Sequence, residues 1–106
     1  MLEVQTSAQG KYNVLDLIGE LDIATVEKFK KSVEEAKVGA DGIILNMEKL
    51  SFVDSTGVGG LLNIVKNLKN SNLEVKILNV STEVYEVFDL LGLPMLLGKE
   101  VFNQNA

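Results

Sequence analysis

Five consecutive residues, Ile43-Ile44-Leu45-Asn46-Met47, constrain the fold more than any other stretch of the sequence. The run is apolar with no alternation, the pattern of a strand covered on both faces. The segments on either side carry a different period. Upstream, Ile23, Val26, Phe29, Val33 and Ala36 recur at helical spacing, while Glu27, Lys28, Lys30, Lys31, Glu34 and Glu35 fill the opposite face. Asp22 or Thr25 is placed to cap that helix and Gly39 to stop it. Downstream, Val58, Leu61, Leu62, Val65 and Leu68 predict a helix from about Thr56 to Lys69. A buried strand between two amphipathic helices implies βαβ units and a mostly parallel sheet.

The flanking segments extend this order. Leu2, Val4 and Thr6 alternate with Glu3, Gln5 and Ser7, and residues 12–18 form a second strand. Gly10 can supply a positive φ in the turn between them, so a hairpin is expected, with residues 2–7 near a sheet edge. Leu73 to Val80 contains another strand centred on Val75, Ile77 and Leu78. Ser81 reads as the cap of a further helix, with Val84, Val87, Phe88 and Leu91 on its apolar face and Gly92 at its end. Leu93 to Leu97 is expected as a short last strand, and residues 99–106 read equally as a helical turn or a tail. The cluster Leu90, Leu91, Leu93, Met95, Leu96 and Leu97 reads first as core and second as a partner surface.

The expected fold is a single α/β domain over residues 1–106: a small mixed, mostly parallel β-sheet with an N-terminal hairpin strand and about four helices. In right-handed βαβ units the carboxyl ends of the strands share one edge, where ligands and partners gather. The loops around Asp22 and Ser55 follow successive strands, so the two residues are expected on one rim.

Composition narrows the function. Among 106 residues there is no cysteine and no histidine. That excludes disulfides, thiol nucleophiles, cysteine-based zinc sites and histidine bases. The net charge is −5 and every basic residue is a lysine. Both argue against nucleic acid, whose phosphates are neutralised by Lys and Arg. No apolar run reaches the ~18 residues of a membrane span. Met1-Leu2-Glu3-Val4-Gln5 lacks the pattern of a signal peptide, so a cytoplasmic protein without membrane contact is expected.

The chemistry concentrates in Asp54-Ser55-Thr56-Gly57-Val58-Gly59-Gly60. One reading is a helix N-terminus, where Asp, Ser and Thr are preferred caps. A second, compatible reading is a hydroxyl that another protein modifies, since a helix N-terminus stabilises a nearby phosphate. A catalytic serine lacks a base, and Gly57-Val58-Gly59-Gly60 lacks the Lys-Ser/Thr of a P-loop. The glycines let the first helical turn lie close to the sheet or leave a flat spot for a partner. Glu20, Asp22 and Asp54 are three loop acids, a weak metal pattern. A receiver-like domain would need paired acids after its first strand, and only Asp54 stands at a comparable place. Neither a cofactor, a metal nor a catalytic activity is expected.

Three segments, "GELDIATVEKFK" at 19–30, "IILNMEKLSFVDSTGVGGLL" at 43–62 and "VYEVFDLLGL" at 84–93, together resemble the STAS family, the anti-sigma factor antagonists of bacteria. The similarity runs from residue 2 to about residue 102. It implies that Ser55 is phosphorylated by an ATP-dependent anti-sigma factor serine kinase. By the same resemblance the unphosphorylated form binds that kinase, which releases its sigma factor, and a PP2C-type phosphatase restores this form. Asp22 matches the acid of the first motif and helps form the kinase-facing surface. Asp54, Thr56, Gly57 and Gly59 complete the implied partner-binding set. The residues after Asp22, Ile23-Ala24, are less polar than in some members. The resemblance also admits a STAS subunit of a stressosome or lipid-transport assembly, a protein-interaction module without turnover at Ser55.

Overall fold

The structure, a computed structural model, describes residues 1–105, with side chains as far as Phe102. Strand β1 (Leu2–Gln9) turns through Gly10, at φ +61°, into β2 (Tyr12–Leu21). The two pair antiparallel in an unbroken register, Leu2 opposite Gly19 and Gln9 opposite Tyr12. Both strands run two or three residues further than the alternation predicts, leaving only Gly10-Lys11 for the turn. On its other side β2 is joined by two consecutive strands. β3 (Gly42–Asn46) runs parallel to its first half and β4 (Leu50–Val53) parallel to its end. β5 (Glu74–Leu78) lies parallel beyond β3. The order is therefore β1-β2-β3-β5, with β4 on β2.

The helices are α1 (Val26–Ala36), α2 (Ser55–Asn70), α3 (Thr82–Leu90) and α4 (Leu93–Leu97), followed by a 3-10 helix over Lys99–Asn105. Leu15 and Leu17 of β2, Ile43 and Leu45 of β3, and Val75 and Ile77 of β5 alternate onto one face, as the two-residue period of a strand requires. They share a core with Phe29 and Val33 of α1 and Leu61, Val65 and Leu68 of α2. Ile44 is buried on the opposite face, so the central strand is covered on both sides as its sequence implies. That second face is otherwise half-buried and polar in part. The Asn46 side chain donates to Asp16 at 2.8 Å and accepts from the Asn79 amide at 2.9 Å.

Four expectations are corrected. β4 was not anticipated: it lies inside the segment read as a loop before Ser55, too short to show a period. Ile23 does not belong to the helical face; α1 starts at Val26 and Ile23 is 74% exposed, because hydrogen bonds around Asp22 hold the preceding residues in a turn. Leu93 to Leu97 is a helix, not a strand. Gly92 takes the left-handed conformation at φ +78° and Pro94 sits in the first turn, where its fixed φ fits and its missing N–H costs nothing. Of the apolar cluster near it, only Leu93 and Leu97 are core; Leu90, Leu91, Met95 and Leu96 are exposed. Leu91 thus leaves the apolar face assigned to it, because it is the C-cap of α3. The segment after Gly98, left open by the sequence, is the 3-10 helix. It packs on β5 and buries Val101 and Phe102, whose ring stands edge-on to Tyr85 at 5.7 Å.

Candidate functional site

The site begins with an irregularity in the sheet. Between Gly19 and Glu20 the register of β2 against β4 shifts by one residue. Gly19 sits at φ +114°, and a Cβ there would run into the Met1 carbonyl oxygen, so only glycine fits. The Ser51 hydroxyl donates to the Gly19 carbonyl at 2.9 Å and fixes the shifted strand. Beyond it Leu21 lies opposite Val53, and the Asp54 N–H donates to the Leu21 carbonyl at 3.3 Å. The two chains leave the sheet side by side.

Asp54 then joins them. It is the N-cap of α2: one carboxylate oxygen accepts from the Gly57 N–H at 2.7 Å. The other accepts from the Ile23 N–H at 3.2 Å, in the loop that leads to α1. Asp22 orders that loop from within. Its carboxylate accepts from the Ala24 N–H at 3.0 Å, and its carbonyl accepts from the Val26 N–H at 2.9 Å. Thr25, buried beneath, donates its hydroxyl to the Glu20 carbonyl at 2.8 Å and accepts from the Asp22 N–H at 2.9 Å. Thr25 holds the N-cap position of α1, yet its hydroxyl caps nothing in the helix and serves the loop instead. The expectation that Asp22 and Ser55 share a rim is met through this Asp54–Ile23 link, since Ser55 follows Asp54 directly.

The glycines divide by role. A Cβ on Gly57 would collide with the Leu21 carbonyl oxygen, and one on Gly60 with a Val26 methyl group. Both are demanded by the closeness of α2 to the end of β2 and to α1. Gly59 faces open space, so nothing in the packing requires it. Ser55 is the first residue of α2 and Thr56 the second, both exposed. Among the described residues neither hydroxyl has a hydrogen-bond partner. Free N–H groups at the start of this 16-residue helix give the position a partial positive charge. From Thr56 and Gly59 a groove of about 470 Å³ runs between the helices past Asn63, with Val26, Glu27 and Lys30 on its far wall.

Two rim residues escaped the sequence reading. Ile23, assigned to the core, and Phe52, two residues before Asp54, are exposed apolar side chains. The available signal was the Asp22 turn motif, which takes Ile23 out of the helical repeat. Among the described residues no cluster of three or more potential metal ligands exists, and the Asp22 and Asp54 carboxylates already accept from backbone N–H groups.

Strand order and rim together define a class: small α/β domains that present a hydroxyl and two carboxylates where the parallel strands of a mixed sheet end. The chain belongs to the STAS domain family, whose profile matches residues 3–105. It is 32% identical over 97 residues to the anti-sigma-B factor antagonist of Staphylococcus aureus (strain NCTC 8325 / PS 47), covering 91% of this chain and 90% of that protein. The antagonist of the same description from Staphylococcus epidermidis is 29% identical over the same length, with the same coverage. Among solved structures, the anti-sigma factor antagonist SpoIIAA in its unphosphorylated form superposes with a TM-score of 0.72 at 32% identity, covering 91% of this chain and 84% of that one. The Bacillus cell fate determinant SpoIIAA in its phosphorylated form gives 0.66 at 31%, covering 91% and 87%. The mixed α/β fold is that of SpoIIAA. No helix among the described residues is long and apolar enough to cross a membrane.

Proposed function

We propose that this chain is an anti-sigma factor antagonist switched by phosphorylation of Ser55. The unphosphorylated form binds an anti-sigma factor serine kinase, which then frees its sigma factor. The kinase transfers the γ-phosphoryl group of ATP to the Ser55 hydroxyl, releasing ADP, and a PP2C-type phosphatase hydrolyses the ester. One observation carries the reading: Ser55 is exposed at the first turn of α2, its hydroxyl without a partner among the described residues, on a rim that already holds Asp22 and Asp54. The antagonist relatives and the existence of a SpoIIAA structure in phosphorylated form support it. In this reading Asp22, Asp54, Thr56, Gly57 and Gly59 shape the partner surface.

The switch is electrostatic. Phosphate adds about −1.5 to −2 charges at one hydroxyl. The helix N-terminus offsets that field locally, so the fold tolerates it. A partner surface matched to a neutral hydroxyl does not, because an unpaired charge buried at an interface costs several kcal/mol. That corresponds to about a hundredfold or more in affinity.

The test is to incubate the protein with the candidate kinase and ATP and map the product by mass spectrometry. A single phosphate on Ser55 is expected. Modification at Thr56, or none despite a demonstrated complex, overturns the assignment. In parallel, Ser55→Asp weakens kinase binding about a hundredfold while the melting temperature stays nearly unchanged; equal binding by both forms removes the switch.

A further inference from the structure

The strands at the margins of the sheet differ in exposure. The 3-10 helix packs on β5, α3 on β4 and α1 on β1. β1 nevertheless keeps six of its eight residues exposed, and among the described residues it pairs with β2 alone. Its sequence, Leu-Glu-Val-Gln-Thr-Ser-Ala-Gln, contains no lysine and no proline, and its register with β2 has no bulge. Those are the devices that ordinarily keep an edge strand from pairing with another chain.

The direction of the unused groups follows from the ladder. The Glu20 N–H donates to the Met1 carbonyl at 2.9 Å. Bonded and non-bonded pairs alternate along an antiparallel ladder, so Glu3, Gln5, Ser7 and Gln9 turn their backbone groups toward β2. Leu2, Val4, Thr6 and Ala8 turn theirs outward.

We propose that β1 pairs antiparallel with β1 of a second copy of this chain, about a two-fold axis normal to the sheet. Such an axis preserves the faces of the sheet, so only residues of equal parity meet. The register that uses all four outward-facing residues sets Leu2 opposite Ala8 and Val4 opposite Thr6 of the second copy. It sets Glu3 opposite Ser7, and Gln5 opposite its own counterpart. The strand is self-compatible in this register: its lone ionised side chain, Glu3, meets a hydroxyl and not its twin, whereas like charges directly opposite would destabilise the pair. The contact is small and carried mainly by main-chain bonds, so the dimer is weak. The net charge of −5 on each copy opposes it, and salt relieves that opposition. Leu2 lies at the rim end of β1, so the two Ser55 rims point to opposite ends of the joined sheet and both stay open.

Sedimentation equilibrium of the full chain up to millimolar concentration, at low and physiological salt, is the test. A monomer–dimer equilibrium that strengthens with salt is expected. Thr6→Pro deletes one outward N–H and leaves the β2 ladder intact, and it weakens association about tenfold or more. Ser7→Glu places a carboxylate directly opposite Glu3 of the second copy, twice by symmetry, and takes each copy from −5 to −6; it does the same, with an effect that shrinks as salt rises. Circular dichroism checks that each variant is folded; if Thr6→Pro is not, Ser7→Glu decides. A chain that stays monomeric over the whole range overturns the proposal. So does a dimer that a folded Thr6→Pro variant and Ser7→Glu both leave unchanged.

Discussion

Gly57 and Gly59 stand two residues apart on one helix and answer to different demands. The first is pressed against the Leu21 carbonyl; the second meets nothing. Gly57→Ala should therefore cost about 1–3 kcal/mol, the range for forcing a methyl group into filled space. Gly59→Ala should stabilise the helix by up to about 1 kcal/mol. Thermal melts of the two variants check this pair, and opposite signs are the expected outcome. If Gly59 serves a partner, the more stable variant binds the kinase less well. A second residue-scale prediction concerns Tyr12, whose hydroxyl donates to Glu74 at 2.7 Å. That bond, helped by burial and by the charges of Glu74 and Asp41, raises the phenol above its ordinary 10.0. The raised value belongs to the folded state, so the link is intact below pH 10 and is lost as pH climbs through the shifted value. Glu74→Gln should move the Tyr12 midpoint down, read by ultraviolet titration.

At the scale of elements, α1 begins where it does because of Thr25. Its buried hydroxyl satisfies both the Asp22 N–H and the Glu20 carbonyl. Thr25→Val keeps the shape and removes both bonds, for an expected loss of about 1–3 kcal/mol. A melting temperature equal to the parent would show that water replaces the hydroxyl there. The same loop marks how far the sequence alone could be read. Period and apolar runs were enough for β2, β3, β5 and the bodies of α1, α2 and α3, because each buries a regular face, and for the start of β1, where Leu2 is buried and Val4 half-buried. They were not enough for β4, whose outward Ser51 and Phe52 break the buried pattern after one residue. Nor were they enough for α4, where five apolar residues fit either period and only Gly92 and Pro94 tell against a strand. Asp54 was legible as a cap from its place before the helix. Its second bond, to Ile23, was not, since that contact joins residues 31 apart.

For the whole molecule, what matters is how charge is distributed over a fixed scaffold. The chain carries −5, and a phosphate on Ser55 would deepen that on a rim that already has two carboxylates. The rim is nonetheless built without a phosphate. Asp54 fastens the start of α2 to the α1 loop, and Gly57 lets the helix sit directly on the end of β2. That fastening has a consequence for timing. A partner that docks on a surface already in place waits for no segment to fold, so encounter rates fall in the ordinary range of about 10⁵–10⁷ M⁻¹ s⁻¹. In the proposed switch, modified and unmodified forms then differ chiefly in how long a complex lives, and the tempo of such a cycle is set by departures rather than arrivals.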